Sequence, residues 1–217
     1  GKAVIDLTES NPTRCGFEFP TEAIMEALAD PRALAYEPHP QGLLRAREAV
    51  AAYYAEKGVG IAPEQVFLTA STSEAYSYVF RLLADPGDNI LAPFQSYPLF
   101  DYLGRLNDVE VIPYPLVYDH GWQLDRDTLR KRVGARSRAV LVVHPNNPTG
   151  SFIRREEIEF LIACCREHSL ALVADEVFAD YAFATDSQRV VSHAGTGDVL
   201  TFTLSGLSKI SALPQMK

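Results

Sequence analysis

Apolar residues in this chain follow two rhythms that alternate along its length. Short, nearly unbroken apolar runs stand at 66–69 (VFLT), 89–92 (NILA), 109–113 (VEVIP), 139–143 (AVLVV), 171–174 (ALVA) and 199–204 (VLTFTL). Runs of this kind suit strands covered on both faces. Between them the apolar positions recur at spacings of three and four, which predicts helices near 21–29, 41–56, 72–84, 97–106, 125–133 and 154–168. The "DPGD" turn at 85–88 breaks helix from strand with its proline and glycine. Alternation of this sort predicts an α/β fold, a mostly parallel sheet between two helical layers in a three-layer αβα arrangement. Residues 1–35 are poorer in strand signals and rich in proline, so they read as an N-terminal arm ahead of a main body at 36–217.

Composition narrows the class. With 217 residues, 47% of them hydrophobic and 22% charged, the chain suits one large globular domain. Twenty basic against 28 acidic residues leave a net charge of −8 without a basic stripe, which removes the attraction that dominates nucleic-acid binding. Small anions remain possible ligands. No apolar run reaches membrane-spanning length, and the N-terminus shows no signal-peptide core. Cys15, Cys164 and Cys165 form neither an even disulfide framework nor a metal-ligand spacing. The expectation is a reduced, cytoplasmic protein with no metal, nucleic-acid or membrane partner.

Ligands of an open parallel sheet bind beyond the carboxyl ends of its strands, so the segments after each run carry the candidate chemistry. Five are loaded: "ASTSEA" after 66–69, "PFQSYP" after 89–92, "HPNNPTG" after 139–143, "DEVF" after 171–174 and "SGLSK" after 199–204. Ser71, Thr72 and Ser73 open a helix, where hydroxyls either cap orphan N–H groups or join them in holding an anion. Asn147 is a turn amide or a directed donor. Asp175 ends an apolar strand, where a carboxylate caps backbone groups or meets a cation. Tyr97 is a packing aromatic or a stacking surface. Lys209, after the last apolar run, is a surface cation or an amine nucleophile. No G-x-G-x-x-G turn follows the first strand, which argues against a nicotinamide-binding fold.

Taken together these segments resemble the fold type I pyridoxal-phosphate enzymes, and within them the class I/II aminotransferases. "HPNNPTG" is similar to the family's NPNNPTG signature, "DEVF" to its strand-end Asp-Glu motif, and "SGLSK" with Pro214 to its Ser-Lys motif. "YEPHPQGLLRAREAV" from Tyr36 resembles the family's Tyr, Gly, Leu-Arg segment, and the motifs run in family order along essentially the whole chain.

The resemblance implies a set of roles. Lys209 forms the Schiff base with pyridoxal 5′-phosphate and moves the substrate α-proton, and Asp175 pairs with the pyridine nitrogen. Asn147 donates to the phenolic oxygen, and Tyr97 stacks on the ring. Ser71, Thr72 and Ser73 hold the phosphate with help from Ser208, while Tyr36 reaches the phosphate of a second subunit and so implies a homodimer. Ser10 and Asn11, in "ESNPT", contact substrate. Lys217 stands where the family has a phosphate-binding arginine, and Phe178 where it has tyrosine. Lysine still pairs with phosphate as a point charge, whereas phenylalanine donates no hydrogen bond. Relative to the family the chain reads as an incomplete cofactor-binding large domain, with 1–35 as the arm and first piece of the small domain. The implied activity is transfer of an amino group between an amino acid and a 2-oxo acid. A C–S lyase or decarboxylase of the same fold uses the same residues, and a non-catalytic, cofactor-binding regulatory module is the reading from another class.

Overall fold

A computed structural model describes residues 11–184 and 186–216. Its elements are α1 (Thr21–Leu28), α2 (Leu44–Glu56), α3 (Thr72–Leu83), β1 (Asn89–Pro93), α4 (Phe100–Leu106), β2 (Glu110–Tyr114), β3 (Leu116–Tyr118), β4 (Trp122–Leu124), α5 (Arg126–Arg132), β5 (Ser137–Val143), α6 (Arg155–His168), β6 (Ala171–Asp175), β7 (Thr201–Leu204) and α7 (Leu207–Ile210). The expected alternation of helix and strand is therefore present, with most boundaries within a few residues of the pattern.

β1, β2, β5, β6 and β7 form one parallel sheet in the order β2-β1-β5-β6-β7. Adjacent parallel strands need crossovers, and α4 supplies one between β1 and β2 while α6 supplies one between β5 and β6. Side chains of one strand alternate between two cores. Ala139, Leu141 and Val143 of β5 enter the core under α3 and α4, whereas Val140 and Val142 enter the one under α5 and α6. Burial on both faces is why the strand runs are apolar at successive positions rather than at alternate ones. Each fully buried leucine or valine in them contributes about 1.5–3 kcal/mol of transfer free energy.

Three differences from the sequence pattern have physical causes. Residues 66–69 are not a strand: the Leu68 N–H bonds to the Gln41 carbonyl at 3.0 Å. Phe67 and Leu68 remain 66% and 38% exposed, because an apolar run becomes a strand only beside a ladder partner, and none of the described strands pairs with it. The antiparallel hairpin β3–β4 and the single turn α7 were not foreseen, since elements of three or four residues are too short to display a period. The expected helix at 97–106 begins only at Phe100, after a bend at 94–96 and a turn at Pro98 and Leu99.

The N-terminal segment differs from the body in its packing. No residue of α1 is buried, while α3 buries Tyr76, Val79 and Phe80 against the sheet.

Candidate active site

The order of the sheet places a topological reversal between β1 and β5, because the chain leaves β1 for β2 on one side and resumes with β5 on the other. Crevices of that kind, beyond the strand carboxyl ends, receive ligands in open α/β sheets. Register brings the candidates to one edge: Val143 pairs with Asp175, and Asp175 with Leu204. Asn147 follows the first of these strands by four residues, and Lys209 follows the last by five.

Asp175 is 7% exposed. Its Oδ2 accepts the Tyr76 hydroxyl at 2.5 Å, and its Oδ1 accepts the Val177 N–H at 3.0 Å. Burial pushes the Asp175 carboxyl up; the Tyr76 and Val177 donors oppose this, and neighbouring Glu176 adds to the rise. Each carboxylate oxygen has a second lone pair, so the group retains capacity for another donor. A protonated ring nitrogen is a donor of the sign that a buried carboxylate calls for.

The residue that follows the strand end is held by a buried set of hydrogen bonds. Glu176 is 1% exposed and accepts the His193 N–H at 2.5 Å, the His193 Nδ1–H at 2.8 Å and the Ser192 hydroxyl at 2.6 Å. Burial would raise the Glu176 carboxyl, yet His193 and Ser192 hold it below its ordinary value. His144 lies 5.0 Å from His193, ring to ring and edge-on. The Ile153 N–H donates to its Nδ1 at 2.8 Å, which leaves Nε2–H to donate to the Val190 carbonyl at 2.7 Å. Both ring nitrogens are thereby committed in the neutral form, and burial, with His193 nearby, lowers the His144 pKa to about 3.

The helix start and the lysine turn meet. Ser71 caps α3, its hydroxyl accepting the Glu74 N–H at 3.1 Å, so the capping alternative is realised for that residue. Thr72 and Ser73 occupy the first turn, whose N–H groups lack intrahelical acceptors. Gly206 packs against this start: a Cβ there would stand 3.7 Å from Thr72 Cγ2 and 3.8 Å from Ser208 Oγ. Thr72 and Ser208 are thus brought to the same place from opposite ends of the sequence.

Lys209 is half-buried in α7, its Nζ 5.4 Å from the centre of the Phe178 ring. Tyr181 donates its hydroxyl to the Lys209 carbonyl at 2.9 Å and stacks edge-on with Phe178 at 5.9 Å. Asp180, in the same segment, accepts the Tyr53 hydroxyl at 2.7 Å and pairs with Lys57, tying the end of α2 to this loop. A cleft of about 600 Å³ opens beside Lys209, with Phe17, Phe19 and Phe183 among its lining residues. Asp175 and Asn147 do not line it, so it flanks the lysine and not the carboxylate.

Other expected residues are placed less centrally. Asn147 is exposed, whereas Asn146 beside it is buried and donates to the Gln95 carbonyl at 2.6 Å and to Thr149 Oγ1 at 2.8 Å. Asn146 fixes the turn, and Asn147 is left facing outward. Tyr97 is partly buried and packs edge-on against Phe100 at 5.7 Å. Tyr36 is 90% exposed. Asn11 caps a short 3-10 turn by accepting the Thr13 N–H at 3.1 Å. Ser10 and Lys217 lie outside the described residues. Sequence reasoning missed Tyr76 and Tyr181; the signal for Tyr76 was a phenol on the apolar face of α3, where a buried hydroxyl requires a partner.

The residues fit the cofactor that the motifs imply. A buried carboxylate with spare acceptor capacity, a helix start with unpaired N–H groups and an amine one strand away match a cationic ring nitrogen, a phosphate and an aldehyde. Comparison with known proteins agrees. The model of the family "Aminotransferase class I and II" matches residues 2–216. The chain belongs to the class I and II aminotransferases, a pyridoxal-phosphate family. It is 30% identical over 211 residues to the glutamate-pyruvate aminotransferase AlaA of Haemophilus influenzae, covering 96% of this chain and 52% of that one. The alanine aminotransferase of Mycobacterium tuberculosis is 32% identical over 213 residues, covering 96% and 49%. Among solved structures, an aminotransferase from Escherichia coli superposes with a TM-score of 0.85 at 26% identity over 99% of this chain and 53% of that one. An alanine aminotransferase from Pyrococcus furiosus gives 0.84 at 27% identity, with 95% and 53% covered. The chain spans about half the length of the curated relatives it matches.

Proposed function

We propose that this chain forms the cofactor-binding part of an enzyme that moves an amino group between an amino acid and a 2-oxo acid. The observation that carries the reading is the buried Asp175 carboxylate, with acceptor capacity to spare, one strand from the segment that bears Lys209. Pyridoxal phosphate, when bound, supplies an electron sink that makes the α-proton of an amino acid removable. The chain's own residues do the rest. Asp175 would hold a proton on the ring nitrogen, and Lys209 Nζ would hold the cofactor covalently and, once the substrate amine has displaced it, would carry the α-proton.

The first-turn N–H groups of Thr72 and Ser73, with the Ser71 and Ser208 hydroxyls, fix the phosphate, and Lys217 adds a point charge. Asn147 orients the phenolic oxygen, Tyr97 covers one ring face, and Phe178 fills the place beside Lys209 without donating a hydrogen bond. Tyr36, exposed as it is, reaches the phosphate of a second copy in a cytoplasmic homodimer, and Ser10 and Asn11 contact substrate. Residues 1–35 form the arm and first piece of a small domain, in keeping with the unburied α1, and 36–217 the cofactor-binding large domain.

Label transfer tests the activity. With pyridoxal phosphate, a ¹⁵N-labelled amino acid and an unlabelled 2-oxo acid, the enzyme of which this chain forms the cofactor-binding part is expected to yield ¹⁵N in the newly formed amino acid. Release of the label as free ammonia, or loss of the substrate carboxyl as carbon dioxide, overturns transamination in favour of the lyase or decarboxylase chemistry.

A further inference from the structure

Tyr76 has no role in the reading above, yet its hydroxyl makes the shortest polar contact to Asp175. It is 1% exposed, on the core face of α3 one helical turn after Thr72, with its ring 5.4 Å from Phe100 and 5.9 Å from Phe80. A phenol sunk among aromatic rings needs an acceptor, and a carboxylate in the same core needs a donor. The 2.5 Å bond from Tyr76 to Asp175 Oδ2 satisfies both. The remaining groups that bear on this pair are Glu176, beside Asp175, and Tyr97, across from Tyr76.

We propose that Tyr76 is a positioning residue that keeps Asp175 ionised, so that the shared proton rests on the cofactor's ring nitrogen rather than on the carboxylate. This rests on the reading of Asp175 as the partner of that nitrogen. Between a buried carboxylate and a pyridine nitrogen the proton follows the more basic site. Burial makes the carboxylate more basic, and a hydrogen bond donated to its oxygen makes it less so. Removing the hydroxyl draws the proton onto Asp175 and weakens the ring as an electron sink. The geometry gives α3 two tasks: its first turn faces the phosphate site, and the residue one turn later sets the charge at the other end of the ring.

The test uses the protein loaded with pyridoxal phosphate carrying ¹⁵N in the ring, whose NMR shift reports protonation of that nitrogen across a pH series. Tyr76→Phe is expected to lower the share of the proton carried by that nitrogen, read from the limiting ¹⁵N shift below the titration midpoint, about tenfold relative to the carboxylate. Fluorotyrosine placed at 76, a stronger donor of nearly the same shape, is expected to raise it, and decides the matter should the phenylalanine variant lose the cofactor. Asp175→Asn is the control. If Asp175→Asn moves the ¹⁵N shift while neither Tyr76 variant does, Tyr76 is only a satisfied core phenol, and the Asp175 reading survives. If Asp175→Asn leaves the shift unchanged, the reading of Asp175 fails and this inference with it.

Discussion

The two walls of the candidate site are built on different terms. On the carboxylate wall Asp175, Glu176, His144 and His193 are 7%, 1%, 0% and 0% exposed, and backbone or side-chain bonds fix each of them. On the lysine wall Lys209 and Phe178 are half-buried, Tyr181 is 39% exposed, and a cleft of about 600 Å³ lies alongside. The carboxylate has only to present a fixed charge, so burial and a closed hydrogen-bond set serve it. An amine that attaches a cofactor and then carries a proton needs room to swing, and a four-residue helix on a sheet edge leaves that room.

Breaking the lysine wall gives the largest expected effect. Lys209→Ala should abolish all borohydride-trapped attachment of pyridoxal phosphate to the chain, measured by mass spectrometry, while non-covalent cofactor binding through the carboxylate wall persists. A trapped adduct on another lysine would mean that Lys209 is not the attachment point.

The carboxylate wall should yield to acid. Folded His144 titrates near 3 against 6.5 for the free side chain, so the stability from its neutral ring is complete above about pH 6.5 and is lost as pH falls toward 3. At about pH 5 the loss amounts to about 2 kcal/mol. Urea unfolding at about pH 7.5 and at about pH 5 should show that difference, and His144→Asn, which cannot titrate, should flatten it. An unchanged pH slope in the variant would mean that His144 does not carry the acid sensitivity.

The smallest effect sharpens the lysine wall. Phe178→Tyr adds a hydroxyl to the ring whose centre lies 5.4 Å from the Lys209 amine, and under the proposed reading that hydroxyl donates to the phenolic oxygen of the cofactor. Donation stabilises the ionised oxygen and weakens its hold on the proton shared with the attached nitrogen. The pH midpoint of the visible absorption of the bound cofactor should therefore fall, by at most about two units. An equal or higher midpoint would show that residue 178 does not face that oxygen.

Legibility in the sequence followed the range of the forces. β1, β5 and β6 were readable because strands covered on both faces must be apolar throughout; Asp175 stood out as the polar residue directly after such a run, and Lys209 as a cation five residues beyond the last apolar run. The same rule misassigned 66–69, where apolar character is present and a pairing strand is not. The hairpin β3–β4 and α7 escaped because their lengths hold no full period. Among the site residues, the capping alternative for Ser71 was legible, since capping is decided within four residues.

By itself the sequence determined the α/β alternation, the order of the motifs and the residue types at the strand ends, because each depends on neighbours within one element. The tertiary structure alone decided which of those residues touch. Tyr76 meets Asp175 across 99 positions, and Gly206 rests on Thr72 from the opposite end of the chain. Such contacts arise from the parallel order of the sheet, which juxtaposes strand ends irrespective of their separation along the chain, and a pattern of local spacings carries no record of that order.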